Sequence, residues 1–198
     1  MTEGLVRGRR MLLREGVSEE EVSEFAAGLG LPCRVDTPAD EEEWVPRQKI
    51  WHSGEGVVLA YREDLSTGLD YVVVMAEEAD EVETTVPSVE LALRTWKISE
   101  LIDRFDRSED REDLVDAVLM MGLGAPPEFD ERIFSRICSA VRSSDSEVVG
   151  AGLHAITNEP WREYADVVGE VLGKGLPPDL EETARRMLVQ FGDTGGGL

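Results

Sequence analysis

Apolar residues recur at helical spacing through the second half of the chain, and at strand spacing over a shorter stretch of the first half. From residue 111 to residue 191 the pattern predicts short amphipathic helices in pairs. Leu114, Val148 and Leu180 lead the first helix of each pair, so helix starts recur about every 32–34 residues, an interval typical of helical repeats. Second helices are expected over 129–142, with Phe129, Ile133, Phe134, Ile137 and Val141, and over 161–172, with Trp161, Tyr164, Ala165, Val168, Val171 and Leu172. A last helix over 179–191 has no partner after it and is expected to cap the stack. Gly122-Leu123-Gly124-Ala125-Pro126-Pro127, Asn158-Glu159-Pro160 and Gly173-Lys174-Gly175 punctuate the series as breaks.

The first half reads differently. Residues 1–16 set Arg7, Arg9, Arg10 and Arg14 around Met11-Leu12-Leu13, which suits a short edge strand or a loose arm. Ser18 and Glu21 have capping-box spacing and open a helix through Val22, Phe25, Ala26 and Leu29. The acidic run over 36–43 is expected as a solvated loop or a short helix start. Strands follow over 44–52, 57–62 and 71–76, separated by Ser53-Gly54-Glu55-Gly56 and Asp64-Leu65-Ser66-Thr67-Gly68. Connections this short admit only antiparallel neighbours, so the three make a meander. After a second acidic run at 77–83, Pro87 and Ser88 are expected to start one connecting helix that reaches about residue 107. The fold class is therefore α+β: a small N-terminal antiparallel β-meander with helices over 1–107, a C-terminal α-helical stack over 108–192, and a flexible tail over 193–198.

The middle copy of the helical series is the clearest, Asp145-Ser146-Glu147-Val148-Val149-Gly150-Ala151-Gly152-Leu153-His154-Ala155-Ile156. It resembles the first helix of a HEAT-like repeat, which opens on Asp and runs through Val, Ala and Leu along its packing face. Val149 departs from that pattern, standing where such repeats often carry a basic residue. In the flanking copies Arg111 and Pro177 stand where the Asp would be. The resemblance covers about two-fifths of the chain. It implies a stacked helical surface that binds a partner, and names none. Some HEAT-like proteins act on alkylated DNA, but their groove must be basic.

Charge bears on that point. With 42 acidic and 20 basic residues the chain carries −22, in excess in both halves. Such a field repels phosphate backbones, so no nucleic acid is expected as a partner; a basic protein suits it. The basic N-terminus lacks an apolar core, and no stretch has the length of a membrane span, so no membrane role is expected and a cytoplasmic location follows. Cys33 and Cys138 lie far apart; the apolar series around Cys138 reads as a buried free thiol. His52 sits in strand context and His154 beside packing residues, so general acid–base chemistry has little material. No zinc spacing, EF-hand loop, phosphate-binding loop or nucleophile elbow occurs, and no catalytic residue, metal or cofactor is assigned.

The reading that follows is a non-catalytic protein-interaction protein with an acidic helical-repeat surface, of which an immunity or inhibitor protein for a basic toxin is one form. The alternatives are an accessory protein of a biosynthetic or regulatory pathway, and an enzyme with an unrecognised site between the halves. The expected contact residues lie on the second helices: Asp130, Glu131 and Arg132 on one, Glu163, Asp166 and Glu170 on the next.

Overall fold

The computed structural model describes residues 4–40, 42–54 and 56–193, and the chain is α+β. The expected tail lies outside the described residues except for Asp193, as do Glu41 of the first acidic run and Glu55 of the first turn. The chain divides into two compact units, Met1–Lys97 and Ile98–Leu198. Among the described residues no helix is long and apolar enough to cross a membrane.

The first unit holds one antiparallel sheet of β1 (Val6–Arg7), β2 (Met11–Leu12), β3 (Cys33–Thr37), β4 (Gln48–His52), β5 (Val58–Asp64) and β6 (Leu69–Ala76). Its order is β1-β6-β5-β4-β3, with β2 also on β6. The expected meander is β4-β5-β6. The Asp64 carboxylate accepts from the amides of Ser66 and Thr67 at 3.1 and 2.9 Å, which fixes the β5–β6 turn. Residues 6–12 form an edge, and Met11 and Leu12 are fully buried. Between β1 and β2 the Gly8 amide donates to the Val74 carbonyl at 2.8 Å.

Two expectations about this sheet need correction. Asp36 and Thr37 belong to β3, paired with Lys49 and Gln48, and the register shifts between Cys33 and Val35. The charge run therefore begins inside an edge strand, where polar side chains face water without cost. β4 starts at Gln48 and not at residue 44. Pro46 has no amide to give a ladder, and Trp44 lies at φ +54°, so only Val45 makes an isolated bridge, to Asp40.

Helix α1 (Glu19–Gly28) carries the expected capping box: the Glu21 amide donates to Ser18 Oγ at 3.3 Å, and the Ser18 amide to Glu21 Oε2 at 2.9 Å. Helix α2 (Ala79–Ala92) begins well ahead of Pro87, which lies inside it. The second acidic run is thus a helix start: Asp80 and Glu81 occupy the first turn, where the helix dipole favours negative charge. Nor does this helix continue to residue 107. Arg94 turns to φ +49°, Thr95 bridges to Leu13, and the Trp96 amide donates to the Leu12 carbonyl at 2.8 Å. Val22 and Ala26 of α1 and Val82 and Val89 of α2 share a core with Trp51, Leu59, Val72 and Val74.

One end of this sheet face is charged. Glu19 accepts from Arg47 Nε and Nη2 at 2.6 and 2.8 Å and pairs with Lys49 Nζ at 2.5 Å, while Arg47 also reaches Asp36. The Arg47 hydrogen bonds hold the Glu19 carboxyl below its usual value. Nearby, Tyr61 hydrogen-bonds Asp70, whose carboxyl is pushed up by burial.

The second unit consists of α3 (Ile98–Asp106), α4 (Arg111–Leu123), α5 (Glu131–Val141), α6 (Ser146–Asn158), α7 (Tyr164–Leu172) and α8 (Pro178–Asp193). Aspartates cap α4, α5 and α6: Asp110, Asp130 and Asp145 accept from the amides of Asp113, Arg132 and Glu147, each at 2.9 Å. The cap of α4 is thus one residue ahead of Arg111, the position that strict spacing assigns to it. Helices in sequence order touch at α3–α4, α4–α5, α5–α6 and α7–α8; alternate helices touch along α4–α6–α8 and α3–α5–α7.

Helix α6 is the centre of this packing, with Val148, Val149, Ala151, Leu153, Ala155 and Ile156 all buried. Each large apolar side chain so enclosed contributes about 1.5–3 kcal/mol of hydrophobic stabilisation. Its neighbours come within backbone distance. A Cβ on Gly122 of α4 would lie 2.4 Å from Ala155 Cβ, and one on Gly152 would lie 2.8 Å from Val141 Cγ2 and 2.9 Å from the Val141 amide nitrogen. Gly122, expected as a break, is therefore a crossing point inside α4.

Candidate protein-binding face

Helices α5 and α7 lie side by side and point the same way. Near their starts, the Phe134 and Tyr164 rings are 5.1 Å apart; near their ends, Arg142 at the C-cap of α5 reaches Glu170 of α7. The rings belong to a four-membered cluster. Phe129 meets Phe134 at 5.3 Å and Trp161 at 5.4 Å, and Trp161 stacks on Tyr164 at 5.6 Å. Trp161 Nε1 donates to the Pro127 carbonyl at 3.1 Å, which anchors the loop before α5 to the start of α7. Tyr164 is buried, and that burial raises its phenol. Phe129 remains 43% exposed, so the cluster has an apolar tip at the surface.

The six expected contact residues fall into two groups. Glu131, Glu163 and Asp166 are exposed, and their carboxylates have no hydrogen bond or ion pair among the described residues. The other three are engaged within the chain. Asp130 is not an exposed helix position: it caps α5 with its side chain only 15% exposed, and it binds Arg132 Nη2 at 2.6 Å. That hydrogen bond lowers the Asp130 carboxyl and raises the Arg132 guanidinium. Glu170 accepts from Arg142 Nε and Nη2 at 2.8 and 3.0 Å, and its carboxyl is lowered by that contact.

The same holds across the unit. Arg136 binds Asp106 at 2.8 and 2.5 Å, Arg111 meets Glu147 at 3.3 Å, and Arg185 meets Glu181 at 2.6 Å. Most arginines of the unit are taken up by the chain's own acids, Arg162 beside Glu163 having no ion pair among the described residues, and acids outnumber them. The unpaired acids that remain give this surface its sign.

No protein-family model, curated protein or solved structure matches the chain.

Two hollows open on the same unit. One, of about 510 Å³, runs along α5 beneath Ser135, Ser139 and Ser143, with Phe105, Leu114 and Val148 opposite. The serines stand four residues apart, a helical row that the apolar pattern hid. The other, of about 380 Å³, is bounded by Arg142, Ser144, Ser146 and Lys174. Neither is lined by a histidine. His52 closes β4, where its carbonyl accepts from Arg34 Nε at 3.2 Å, and His154 lies half-buried on α6. Cys138 is buried and its thiol is pushed up to about 11, so it stays protonated and inert at neutral pH. Among the described residues, no three His, Cys, Asp or Glu side chains converge as a metal ion requires.

Sequence reasoning missed Phe129, counted with the apolar face of its helix although it stands ahead of α5 and is partly exposed. No local signal distinguishes it from its neighbours. Helical spacing alone points to Asp130 and Glu170, and their pairing depends on arginines whose reach that spacing does not show.

Proposed function

We propose that this chain is a non-catalytic binding protein whose α5–α7 face, part of a HEAT-like stack, takes a basic protein partner. The observation that carries the reading is the division of charge on that face. Asp130, Arg132, Arg142 and Glu170 neutralise one another within the chain, whereas Glu131, Glu163 and Asp166 are left for an external cation. Phe129 supplies the apolar anchor that a charged rim surrounds in a tight interface. Alternating contacts along α4–α6–α8 and α3–α5–α7 support the stacked reading. Complementary charge speeds encounter and fixes orientation, which is the benefit of strong acidity in an inhibitor of a basic toxin.

The test is capture of a cationic protein at about 50 and 300 mM salt, with screening set by the Debye length. The wild type should hold such a partner at low salt, and Glu131→Lys/Glu163→Lys/Asp166→Lys should weaken it about tenfold or more. Phe129→Ala should weaken the residual binding at high salt. Equal affinity of wild type and triple variant would remove this face as the docking surface.

A further inference from the structure

Trp44 combines two costly features in the sheet unit. Its indole is 74% exposed, and its backbone sits at φ +54°, a conformation that bulky L-residues rarely adopt. Both the exposure and the backbone would be relieved by a glycine or an asparagine. The indole instead forms one wall of a hollow of about 380 Å³ shared with Glu63, Leu65 and Gly68 of the β5–β6 turn. Local hydrogen bonds hold both sides of it. Asp40 accepts from the amides of Glu42 and Glu43, each at 3.1 Å, ahead of Trp44, and Gly68 at φ +66° donates to the Asp64 carbonyl at 2.7 Å.

The walls select the occupant. An aromatic face attracts a cation, the more so where water is displaced. The Glu63 carboxylate has no hydrogen bond or ion pair among the described residues, and Leu65 gives the hollow an apolar side. Glu42 and Glu43 precede the indole in the chain and add negative charge. Basic side chains at this end of the sheet have partners of their own: Arg47 pairs with Glu19 and Asp36, Lys49 with Glu19, and Arg62, which precedes Glu63 in β5, bonds the Gln48 side chain. A carboxylate or phosphate would meet repulsion here, and a purely apolar group would leave Glu63 facing it.

We propose that the Trp44–Glu63 hollow is a second recognition site, which takes an arginine or lysine side chain of the basic partner, its head group over the indole and against Glu63 and its methylenes along Leu65. It rests on the reading of the partner as basic, and it concerns a different surface from α5–α7.

The test uses a capped tri-arginine peptide as probe and the indole N–H signals of the full chain in NMR. The chain has four tryptophans, of which Trp51 and Trp161 are buried, so the Trp44 signal is assigned by its loss in Trp44→Gly. The peptide should shift the Trp44 signal in a saturable way, while a capped tri-serine peptide should not. Glu63→Gln should weaken the apparent affinity at this signal about threefold or more, as loss of a charge-assisted contact requires. Trp44→Gly suits the left-handed backbone, so it should melt no lower than wild type while losing the peptide contacts at Leu65 and Gly68. The Glu131→Lys/Glu163→Lys/Asp166→Lys variant should leave the Trp44 shift unchanged. A Trp44 signal that the peptide does not move overturns the site, and movement of α5 and α7 signals in that same titration would leave the α5–α7 reading standing. A Trp44 shift unaffected by Glu63→Gln also overturns it, since the carboxylate would then play no part.

Discussion

The sheet unit and the helical unit carry the same kind of charge and manage it in opposite ways. In the sheet unit, charge is drawn onto the core-facing side: Glu19, Asp36, Arg47 and Lys49 interlock over one end of the sheet, and Asp70 is half-buried against Tyr61. In the helical unit most ion pairs lie nearer the surface, the capping Asp130 and the buried Glu159 aside, and the largely apolar interior is packed to backbone contact at Gly122 and Gly152. The difference teaches where each unit is sensitive. The first should respond to proton concentration and the second to volume.

The largest effect is expected from volume. Gly122→Ala puts a methyl group 2.4 Å from Ala155 Cβ and 2.5 Å from its Cα, with backbone behind it and nowhere to yield. It should cost about 2–4 kcal/mol in urea unfolding, with loss of amide protection in α4 and α6. Gly150 sharpens the contrast, since a Cβ there meets only the end of the Leu180 side chain, Cδ2 at 3.4 Å and Cδ1 at 3.8 Å. Gly150→Ala should gain up to about 1 kcal/mol from helix propensity. If both variants destabilised alike, close helix approach would not be what holds α6.

A smaller effect, in the sheet unit, follows pH. Burial raises the folded Asp70 carboxyl above 3.8, so the folded state holds that proton more tightly than the unfolded chain. Stability contributed by this group therefore falls as pH rises from 3.8 through its folded value, and the penalty is complete at neutrality. Asp70→Asn keeps an acceptor for Tyr61 and should raise the melting temperature at pH 7, with the gain vanishing in acid below that window. Glu19 has the opposite sign. Its folded carboxyl lies below 4.5, so its contribution is present at neutral pH and is lost as pH falls through the lowered value. Glu19→Gln should lower the melting temperature at pH 7 and converge on wild type in acid. Thermal melts from pH 7 to pH 3 check both.

The smallest effect is expected at the surface of the helical unit. Arg142 and Glu170 are each nearly half-exposed, and an ion pair so placed is screened by water and salt. Glu170→Gln should leave the melting temperature within error. A clear drop would mean that this contact clamps α5 to α7, and the contrast between the units would need redrawing.

The sequence shows much of this architecture where local chemistry decides it. Ser18 and Glu21 announced their helix, the three apolar runs announced β4, β5 and β6, and the helical spacing of the second half announced α4 to α8. It fails where tertiary contacts decide. Leu93 and Trp96 continue the apolar spacing of a helix, yet the chain leaves it at Arg94 to bridge Leu13. Cys33-Arg34-Val35-Asp36-Thr37 offers too few apolar positions to read as a strand, and is one because β4 is beside it. Of the candidate contact residues, exposure was legible for Glu131 and Asp166 from their helical position, whereas Glu163, expected inside the helix, is exposed as the N-cap residue ahead of α7. The engagement of Asp130 and Glu170, and the display of Trp44, came only with the fold.

The slipped register between Cys33 and Val35 bears on how copies of this protein behave when crowded. β3 forms one border of the sheet, and its outward amides and carbonyls are a template for a neighbouring chain to zip onto. A kink near the head of that border and a carboxylate close to its foot spoil the template. The opposite border is broken in two between Arg7 and Met11, and neither piece is long enough to recruit a stranger. A sheet with a mostly apolar centre is thereby kept from growing sideways.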